Sequence, residues 1–268
     1  KNKIHKQKQK IRIISFEELL MKDLKSIVIF FRSDSIHNSI INLAKEDVTI
    51  NVLRNLDTPF LKGTPTIKAD YLLNIYYPII QVVHLNAFND HKCINFNLFN
   101  KNSSKIINYK NIKTNKINIL YAMSHTAFSK NEIGLIHKLR EIIPENINLK
   151  VKLHGSNPAH YFRNLCNLNL VDQNLYFADK PNFTEKDIDK QYEFISKYDI
   201  CIGLSTTFYL KAFLAGIKNN LYISDKRFFP YTKLYSREHL KILFEYINCK
   251  EVKNIYDLPK IIEKLYSN

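Results

Sequence analysis

Residues 199–224 read DICIGLSTTFYLKAFLAGIKNNLYIS, and this stretch decides the fold. Residues 199–204 form an apolar run of strand length, which is typical of a buried strand. A helical pattern follows over residues 206–215, and Gly216 is a fitting residue to end that helix. A second apolar run, residues 221–224, comes directly afterwards. This succession of strand, helix and strand predicts parallel strands joined by a crossover helix.

The same alternation continues on both sides of this stretch. Ser129 and Glu132 have the spacing of a capping box, which predicts the start of a helix. Residues 147–153 alternate between apolar and polar side chains, which indicates a strand with one solvated face that carries Lys152. Further strands are predicted at residues 117–123 and 174–178, and helices at residues 184–198, 236–247 and 258–266. The pattern predicts an α/β protein with a C-terminal doubly wound parallel sheet.

The first hundred residues show the alternation less clearly. Residues 26–31 and 48–53 are apolar runs that predict strands, with a short helical pattern between them. Residues 101–116 carry five lysines and no acidic residue, and they lack apolar periodicity, which is typical of a linker. We therefore expect an N-terminal α/β lobe over residues 1–100, a linker over residues 101–116 and a second domain over residues 117–268.

Composition bounds the function classes. The chain of 268 residues has a formal net charge of +15, which favours anionic partners, although heavy use of Lys, Asn and Ile explains part of the excess. The four cysteines lack zinc-ligand spacing, and Cys201 lies in an apolar run as a core residue would, which indicates a reducing compartment. No apolar run is long enough to span a membrane, and no signal-peptide stretch follows the basic residues 1–10. These features predict a cytoplasmic protein.

Ligands of doubly wound sheets bind beyond the carboxyl ends of the strands, so the residues after each predicted strand are candidates. Ser205, Thr206 and Thr207 open a predicted helix, where backbone amides and the helix dipole favour an anion such as phosphate. Plain N-capping is the alternative, but it accounts for one hydroxyl more readily than for three. The turns after the other strands add further polar residues: Ser124, His125, His154, Gly155, Lys226 and Arg227.

Two side chains are candidates for proton transfer. His154 follows a predicted strand and would donate a proton or a hydrogen bond as a bond to phosphate breaks, while a hydrogen-bonded surface histidine is the alternative. Asp57 lies just beyond a strand of the first lobe and would act as general base across a cleft. Asp34 is its rival, and both aspartates also suit ordinary turns. No Asp-x-Asp pair follows a predicted strand, so no metal ion is expected.

Three segments of the second half carry a family resemblance: ILYAMSH at 119–125, VKLHGSNP at 151–158 and the stretch at 199–224. Together they resemble the C-terminal half of GT-B glycosyltransferases that build bacterial surface polysaccharides, among them sialyltransferases and teichoic-acid-type polymerases. The resemblance covers roughly residues 115–225. The family's Lys-x-His-Pro segment is matched by Lys152 and His154, with Gly155 where the family has Pro. Its hydroxyl pair is matched by Ser205 and Thr206, and its helix end, Ala-x-Gly in the family, by Leu214-Ala215-Gly216.

The resemblance implies two Rossmann-like lobes and the transfer of a sugar from a nucleotide-activated donor, such as a CMP-linked sialic acid, to a glycan or glycolipid of capsule or lipooligosaccharide. It implies that Ser205 and Thr206 bind the donor phosphate and that His154 contacts or protonates it. The acidic motif of the sialyltransferase group is missing from residues 1–100, so Asp57 takes the role of base by position alone. That lobe is also short for the fold, which leaves a truncated enzyme open. No cofactor besides the donor is implied.

Two alternatives remain. A transferase of polyol phosphates, of the teichoic-acid type, would use the same scaffold. A basic nucleic-acid-binding protein would explain the charge, but the aromatic residues are spaced as core positions and no nucleic-acid-binding motif is present, so no specific nucleic-acid partner is expected. The basic surface, including residues 1–10, predicts peripheral association with the anionic inner membrane.

Overall fold

The structure is a computed structural model, and it describes residues 27–30, 48–52, 71–76, 79–80, 92–95, 116–124, 131–155, 157, 159–172, 185–204, 206–228 and 238–266. Within these ranges the chain forms two parallel β-sheets, and helices cover both faces of the second. The predicted α/β class with parallel strands is confirmed.

The first sheet contains four strands: β1 (Ile27–Phe30), β2 (Val48–Val52), β3 (Tyr71–Asn74) and β4 (Lys92–Asn95). They lie side by side in chain order and every pair is parallel. The strands predicted at 26–31 and 48–53 are therefore confirmed, whereas β4 was not predicted. Among the described strands the order does not reverse, as it does in a Rossmann sheet. A Rossmann-like first lobe stays a prediction.

The second sheet contains five parallel strands: β5 (Asn118–Ala122), β6 (Asn148–Lys152), β7 (Ile200–Gly203), β8 (Asn219–Ile223) and β9 (Lys250–Val252). Their order across the sheet is β6-β5-β7-β8-β9. An isolated parallel bridge between Val151 and Val171 adds a further neighbour outside β6. The strand predicted at residues 174–178 lies outside the described residues.

The described residues contain six α-helices: α1 (Glu132–Ile142), α2 (Ala159–Asn167), α3 (Glu185–Ser196), α4 (Phe208–Leu214), α5 (Glu238–Tyr246) and α6 (Leu258–Tyr266). The last helix follows β9 and is preceded by a 3₁₀ turn at Ile255–Asp257. All but α2 were predicted within a few residues. Gly216 has φ 88°, and Ile217 N donates to Ala212 O while Gly216 N donates to Phe213 O. This Schellman motif confirms the predicted end of α4.

Alternate side chains of β5 enter two different apolar clusters. Ile119 and Tyr121 pack with α1, α2 and α6, whereas Leu120 and Ala122 pack with α3, α4 and α5. Both faces of the second sheet are therefore covered, and the doubly wound arrangement is confirmed. Cys201 lies in the second of these clusters and is fully buried, as predicted.

The solvated face predicted for residues 147–153 is wrong at its carboxyl end. Lys150 is half-buried, and its Nζ donates to Asn169 O at 2.6 Å. Lys152 is only 7% exposed, because α4 covers this end of β6 and the Phe208 ring lies 5.2 Å from the Lys152 ammonium. A charged residue at the covered end of a strand breaks the simple alternation of apolar and polar faces.

The core of the second sheet extends to residues of the first half. Leu72 of β3, together with Ile79 and Ile80, belongs to the same apolar cluster as Leu120 and Cys201. Asn74 Nδ2 donates to Ile80 O at 2.7 Å and holds this segment beside the strand that precedes it. The proposed division at residues 101–116 stays a prediction, since only Lys116 of that segment is described.

Candidate functional site at the switch point

The strand order of the second sheet reverses around β5. From β5 the chain moves to β6 on one side, and later returns to β7 on the other side. Connections on the two sides of such a switch point leave opposite faces of the sheet, so a crevice opens between the carboxyl ends of β5 and β7. Ser124 follows β5, Thr206 follows β7, and His154 follows the neighbouring β6. Three of the candidates predicted from the sequence therefore lie at this edge.

Gly203 lets β5 and β7 approach closely at the switch point. A Cβ atom on this residue would lie 2.6 Å from Ala122 O and 3.3 Å from Tyr209 Oη. Any side chain here would push against backbone, which cannot yield as a flexible side chain does. Gly203 therefore has a packing role at the switch point.

A buried carboxylate lies directly behind the β5 end of the crevice. Glu132 has no exposed surface, and its Oε1 accepts from Tyr121 Oη at 2.9 Å. Ser124 contributes three more hydrogen bonds: its backbone N lies 3.0 Å from Oε2 and 3.2 Å from Oε1, and its Oγ lies 3.1 Å from Oε1. Ser124 is itself fully buried, so its hydroxyl faces the protein.

Burial raises the pKa of Glu132 from 4.5 to about 7, against the hydrogen bonds from Tyr121 and Ser124, which lower it. Glu132 was not predicted as part of the site, because its spacing from Ser129 predicts a capping box. That prediction is wrong: α1 begins at Glu132 with Asn131 as its N-cap, and the carboxylate contacts β5. A signal for its burial was present, since Glu132, Leu135, Ile136 and Leu139 share one helix face.

Asn157 joins the turn after β5 to the turn after β6. Its Nδ2 donates to Ser124 O at 3.2 Å, and its Oδ1 accepts from His154 N at 2.8 Å. The turn itself closes through Asn157 N, which donates to His154 O at 2.9 Å. His154 is half-buried and Gly155 is exposed, with open space where a Cβ would project. The structure therefore brings His154 and Ser124 together through one amide side chain.

Lys152 supplies positive charge at the same edge. Its Nζ donates to Leu153 O at 2.9 Å and lies over the Phe208 ring at the start of α4. Since Lys152 pairs in register with Ala122, its side chain lies on the face of the sheet that α4 covers. A buried ammonium near the hydroxyl segment favours an anion there.

The hydroxyl segment is described in part. Thr206 is buried, and its Oγ1 accepts from Phe208 N at 3.2 Å, so this hydroxyl does cap the helix backbone. Thr207 is exposed and occupies the N-cap position without a side-chain cap bond. Ser205, His125, Asp57 and Asp34 lie outside the described residues. Binding of phosphate by this segment stays a prediction.

The basic residues after β8 have a different environment. Asp225 is buried and accepts from Arg227 Nε at 2.8 Å, while Arg227 Nη2 also donates to Asn254 Oδ1 at 2.9 Å. Hydrogen bonding to Arg227 is the main reason why the pKa of Asp225 falls to about 2. Arg227 therefore bonds a neighbouring carboxylate. Lys226 and Arg163 are exposed at the surface.

A cavity of about 1150 Å³ opens at the carboxyl ends of β8 and β9. Tyr222 and Phe244 line it, with their ring centroids 4.7 Å apart. Lys226 and Lys241 are also among its lining residues. The cavity lies beside the switch crevice, on the same edge of the sheet and next to the strand pair that forms the crevice.

Comparison with known proteins gives no family: no protein-family model, no curated protein and no solved structure matches the chain. Over the described ranges, no helix has the length and apolar character needed to cross a membrane. The same ranges contain no group of three or more His, Cys, Asp or Glu side chains placed to hold a metal ion. The chain is thus defined by its fold class, an α/β protein with a doubly wound parallel sheet.

Proposed function

We propose that the protein is a metal-independent glycosyltransferase of GT-B type that transfers a sugar from a nucleotide donor to a bacterial surface glycan. One observation carries the proposal. Lys152, His154 and Thr206, which match the motifs of the resemblance, come to the carboxyl edge of a doubly wound sheet beside its switch point. This is where parallel α/β sheets bind nucleotides.

The donor phosphates would lie between β6 and the start of α4. Lys152 would supply positive charge from below, and the hydroxyl hydrogens of Ser205 and Thr206 would be donated to phosphate oxygens. The Thr206 hydroxyl accepts the hydrogen bond from Phe208 N, so it still has a hydrogen of its own to donate to phosphate.

His154 would serve the departing phosphate. Sugar transfer leaves negative charge on the nucleotide, and a histidine beside it stabilises that charge by donating a proton or a hydrogen bond. Asp57 of the first lobe would accept the proton of the attacking hydroxyl, with Asp34 as the competing candidate. A CMP-linked sialic acid is the donor and a glycan or glycolipid at the inner membrane is the acceptor that the resemblance favours.

A thermal-shift screen with CMP, UDP, GDP, CDP-glycerol and a short oligonucleotide tests the proposal. A shift with a nucleoside mono- or diphosphate is expected, whereas a shift with CDP-glycerol alone would favour polyol-phosphate transfer. A response to the oligonucleotide alone would contradict both enzymes and favour the nucleic-acid-binding alternative.

Two variants locate the site. The double change Ser205→Ala with Thr206→Ala is expected to weaken nucleotide binding by about 1.5–3 kcal/mol for each charged hydrogen bond that is lost. Ser196→Ala is the matched control, since its hydroxyl donates to Glu193 O at the far end of α3. Asp57→Ala should leave nucleotide affinity intact and reduce turnover by roughly 10²–10⁴-fold. Full turnover in that variant would remove Asp57 from the mechanism.

A further inference from the structure

We propose that Glu132 and Asn157 are positioning residues, which act through Ser124 to hold the turn that carries His154 at the edge of the switch crevice. The inference rests on the proposed function for the role of His154, but the connection itself is a property of the fold. It runs from the core to the site in three links: Glu132 to Ser124, Ser124 to Asn157, and Asn157 to His154.

The inner link fixes Ser124. Two hydrogens of Ser124, one on the backbone and one on the hydroxyl, are donated to the same carboxylate. The carboxylate in turn cannot move, because it is fully buried on the first turn of α1 and also accepts from Tyr121 Oη. The carbonyl of Ser124 is thereby held in one direction.

The two hydrogen bonds of the Asn157 amide then fix the position of the turn that carries His154. Asn157 uses both ends of its amide: Nδ2 donates to Ser124 O, and Oδ1 accepts from His154 N. The turn that follows β6 is closed by the bond between Asn157 N and His154 O. An amide can make this connection because it carries a donor and an acceptor on one rigid group. Aspartate would keep the acceptor and lose the donor.

Stability alone does not explain a carboxylate at position 132. Leu135, Ile136 and Leu139 occupy the same buried face of α1, and an apolar residue at position 132 would continue that face. Burying a charged group costs free energy even when it is hydrogen-bonded. A buried carboxylate at such a position is typical of functional sites, where a required geometry outweighs the preference for an apolar side chain.

Within the part of the chain that the structure describes, the Glu132 carboxylate has no charged partner and is bonded by Tyr121 and Ser124 alone. Lys152 at the end of β6 lies on the opposite face of the sheet, and His137 and Arg140 of α1 are exposed. Protonation of Glu132 would remove acceptor capacity that Ser124 uses, and burial sets that event near neutral pH, with a pKa of about 7.

The test uses the full-length chain without ligand. NMR signals of the Ser124 backbone amide and the Asn157 side-chain amide are followed from pH 5.5 to 8.5. We expect both to titrate with one midpoint near 7 in the wild type and in His154→Ala, and to lose that titration in Glu132→Gln. Persistence of the titration in Glu132→Gln would overturn the inference, and so would its loss in His154→Ala, because the midpoint would then belong to the histidine.

A second measurement separates positioning from general support. Asn157→Asp should shift the His154 ring signals and leave the melting temperature close to that of Asn148→Ala, the matched control at the amino end of β6. Unchanged His154 signals in Asn157→Asp would contradict the inference. A positioning defect of this kind predicts that sugar transfer from a CMP-linked donor falls about 10²-fold, while the affinity for CMP is unchanged. If no nucleotide binds the wild type, the proposed function fails while the NMR result still decides the positioning.

Discussion

Two buried carboxylates lie at the same edge of the second sheet, and they differ in their partners. Glu132, behind the end of β5, is 0% exposed, and its donors among the described residues, Tyr121 and Ser124, are uncharged. Asp225, after β8, is 3% exposed and is bonded by the Arg227 guanidinium and by the backbone N of Ile255. The pKa of Glu132 is raised to about 7, and that of Asp225 is lowered to about 2.

The contrast shows what distinguishes the two sides of this edge. At β8 the carboxylate and its arginine neutralise each other, and the pair ties a surface turn to Asn254. At β5 the described residues supply no charged partner, and burial raises the pKa of Glu132 into the physiological range. Burial therefore sets the titration of Glu132, whereas hydrogen bonds from Arg227 are the main cause of the low pKa of Asp225.

The largest expected effect comes from Glu132→Gln. Because the folded-state pKa of Glu132 lies above its ordinary 4.5, the stability from its protonated form is present below pH 4.5 and is lost as the pH rises through about 7. Relative to Glu132→Gln, the free energy of unfolding of the wild type should fall by about 2 to 3 kcal/mol between pH 5 and pH 8. Urea unfolding at both pH values measures this, and parallel curves for the two proteins would contradict it.

Lys152→Met tests whether the ligand binds on the β5 side or on the β8 side of this edge. Removing a buried ammonium beside the proposed phosphate site should lower CMP affinity about 10-fold, or about 1.4 kcal/mol. Lys226→Met, after β8, removes an exposed lysine from the same edge and should leave CMP affinity unchanged. Isothermal titration calorimetry distinguishes the two, and equal losses in both variants would place the nucleotide in the β8–β9 cavity.

Tyr121→Phe removes one donor from Glu132 without changing any charge. We expect a destabilisation of about 1 kcal/mol at pH 8, where the carboxylate is ionised, and a smaller effect at pH 5. Since the Tyr121 hydroxyl lowers the pKa of Glu132, its loss should move the carboxyl titration to higher pH. NMR titration of the Glu132 side-chain carbon checks this, and a midpoint that moves down would be inconsistent with the geometry.

Arg227→Gln should have the smallest effect at neutral pH, because the arginine side of the pair is exposed and surface pairs contribute little. Asp225 stabilises the fold above its ordinary pKa of 3.8, and this stabilisation is lost as the pH falls through about 2. Without Arg227 the pKa of Asp225 rises toward its ordinary value, so the difference in unfolding free energy between wild type and variant should shrink as the pH falls from 3.8 to about 2. Urea unfolding at neutral and acid pH measures this, and a difference that does not change with pH would show that the backbone donors suffice.

The fold was predictable where local rules and tertiary packing agree. The β7–α4–β8 unit was found because an apolar run, a helical face and Gly216 all indicate the same arrangement. β9 is three residues long with two exposed, so it carries no periodic apolar signal. α2 was missed although Tyr161, Phe162, Leu165 and Cys166 recur at helical spacing and belong to or pack against one apolar cluster.

The site was predictable in its location but not in its internal connections. Strand ends mark His154, Ser124 and Thr206 as neighbours, because the carboxyl ends of parallel strands meet at one edge. The direction of Glu132 toward β5 was hidden, since the same spacing also fits a capping box. Asn157 gave no signal either, because one asparagine in a turn suits many turns and its two partners lie on different strands.

The strand order affects the sequence of events in which the protein folds. β7 and β8 meet across one short helix, whereas Asn118 at the start of β5 meets Asp199 at the start of β7 across 81 residues of chain. Closing so long a loop is entropically costly, and contacts of that kind form late in folding. We therefore expect the β7–β8 half to assemble early and the crevice to appear only when β5 joins it. The proposed ligand would then bind only to chains that have completed their slowest pairing.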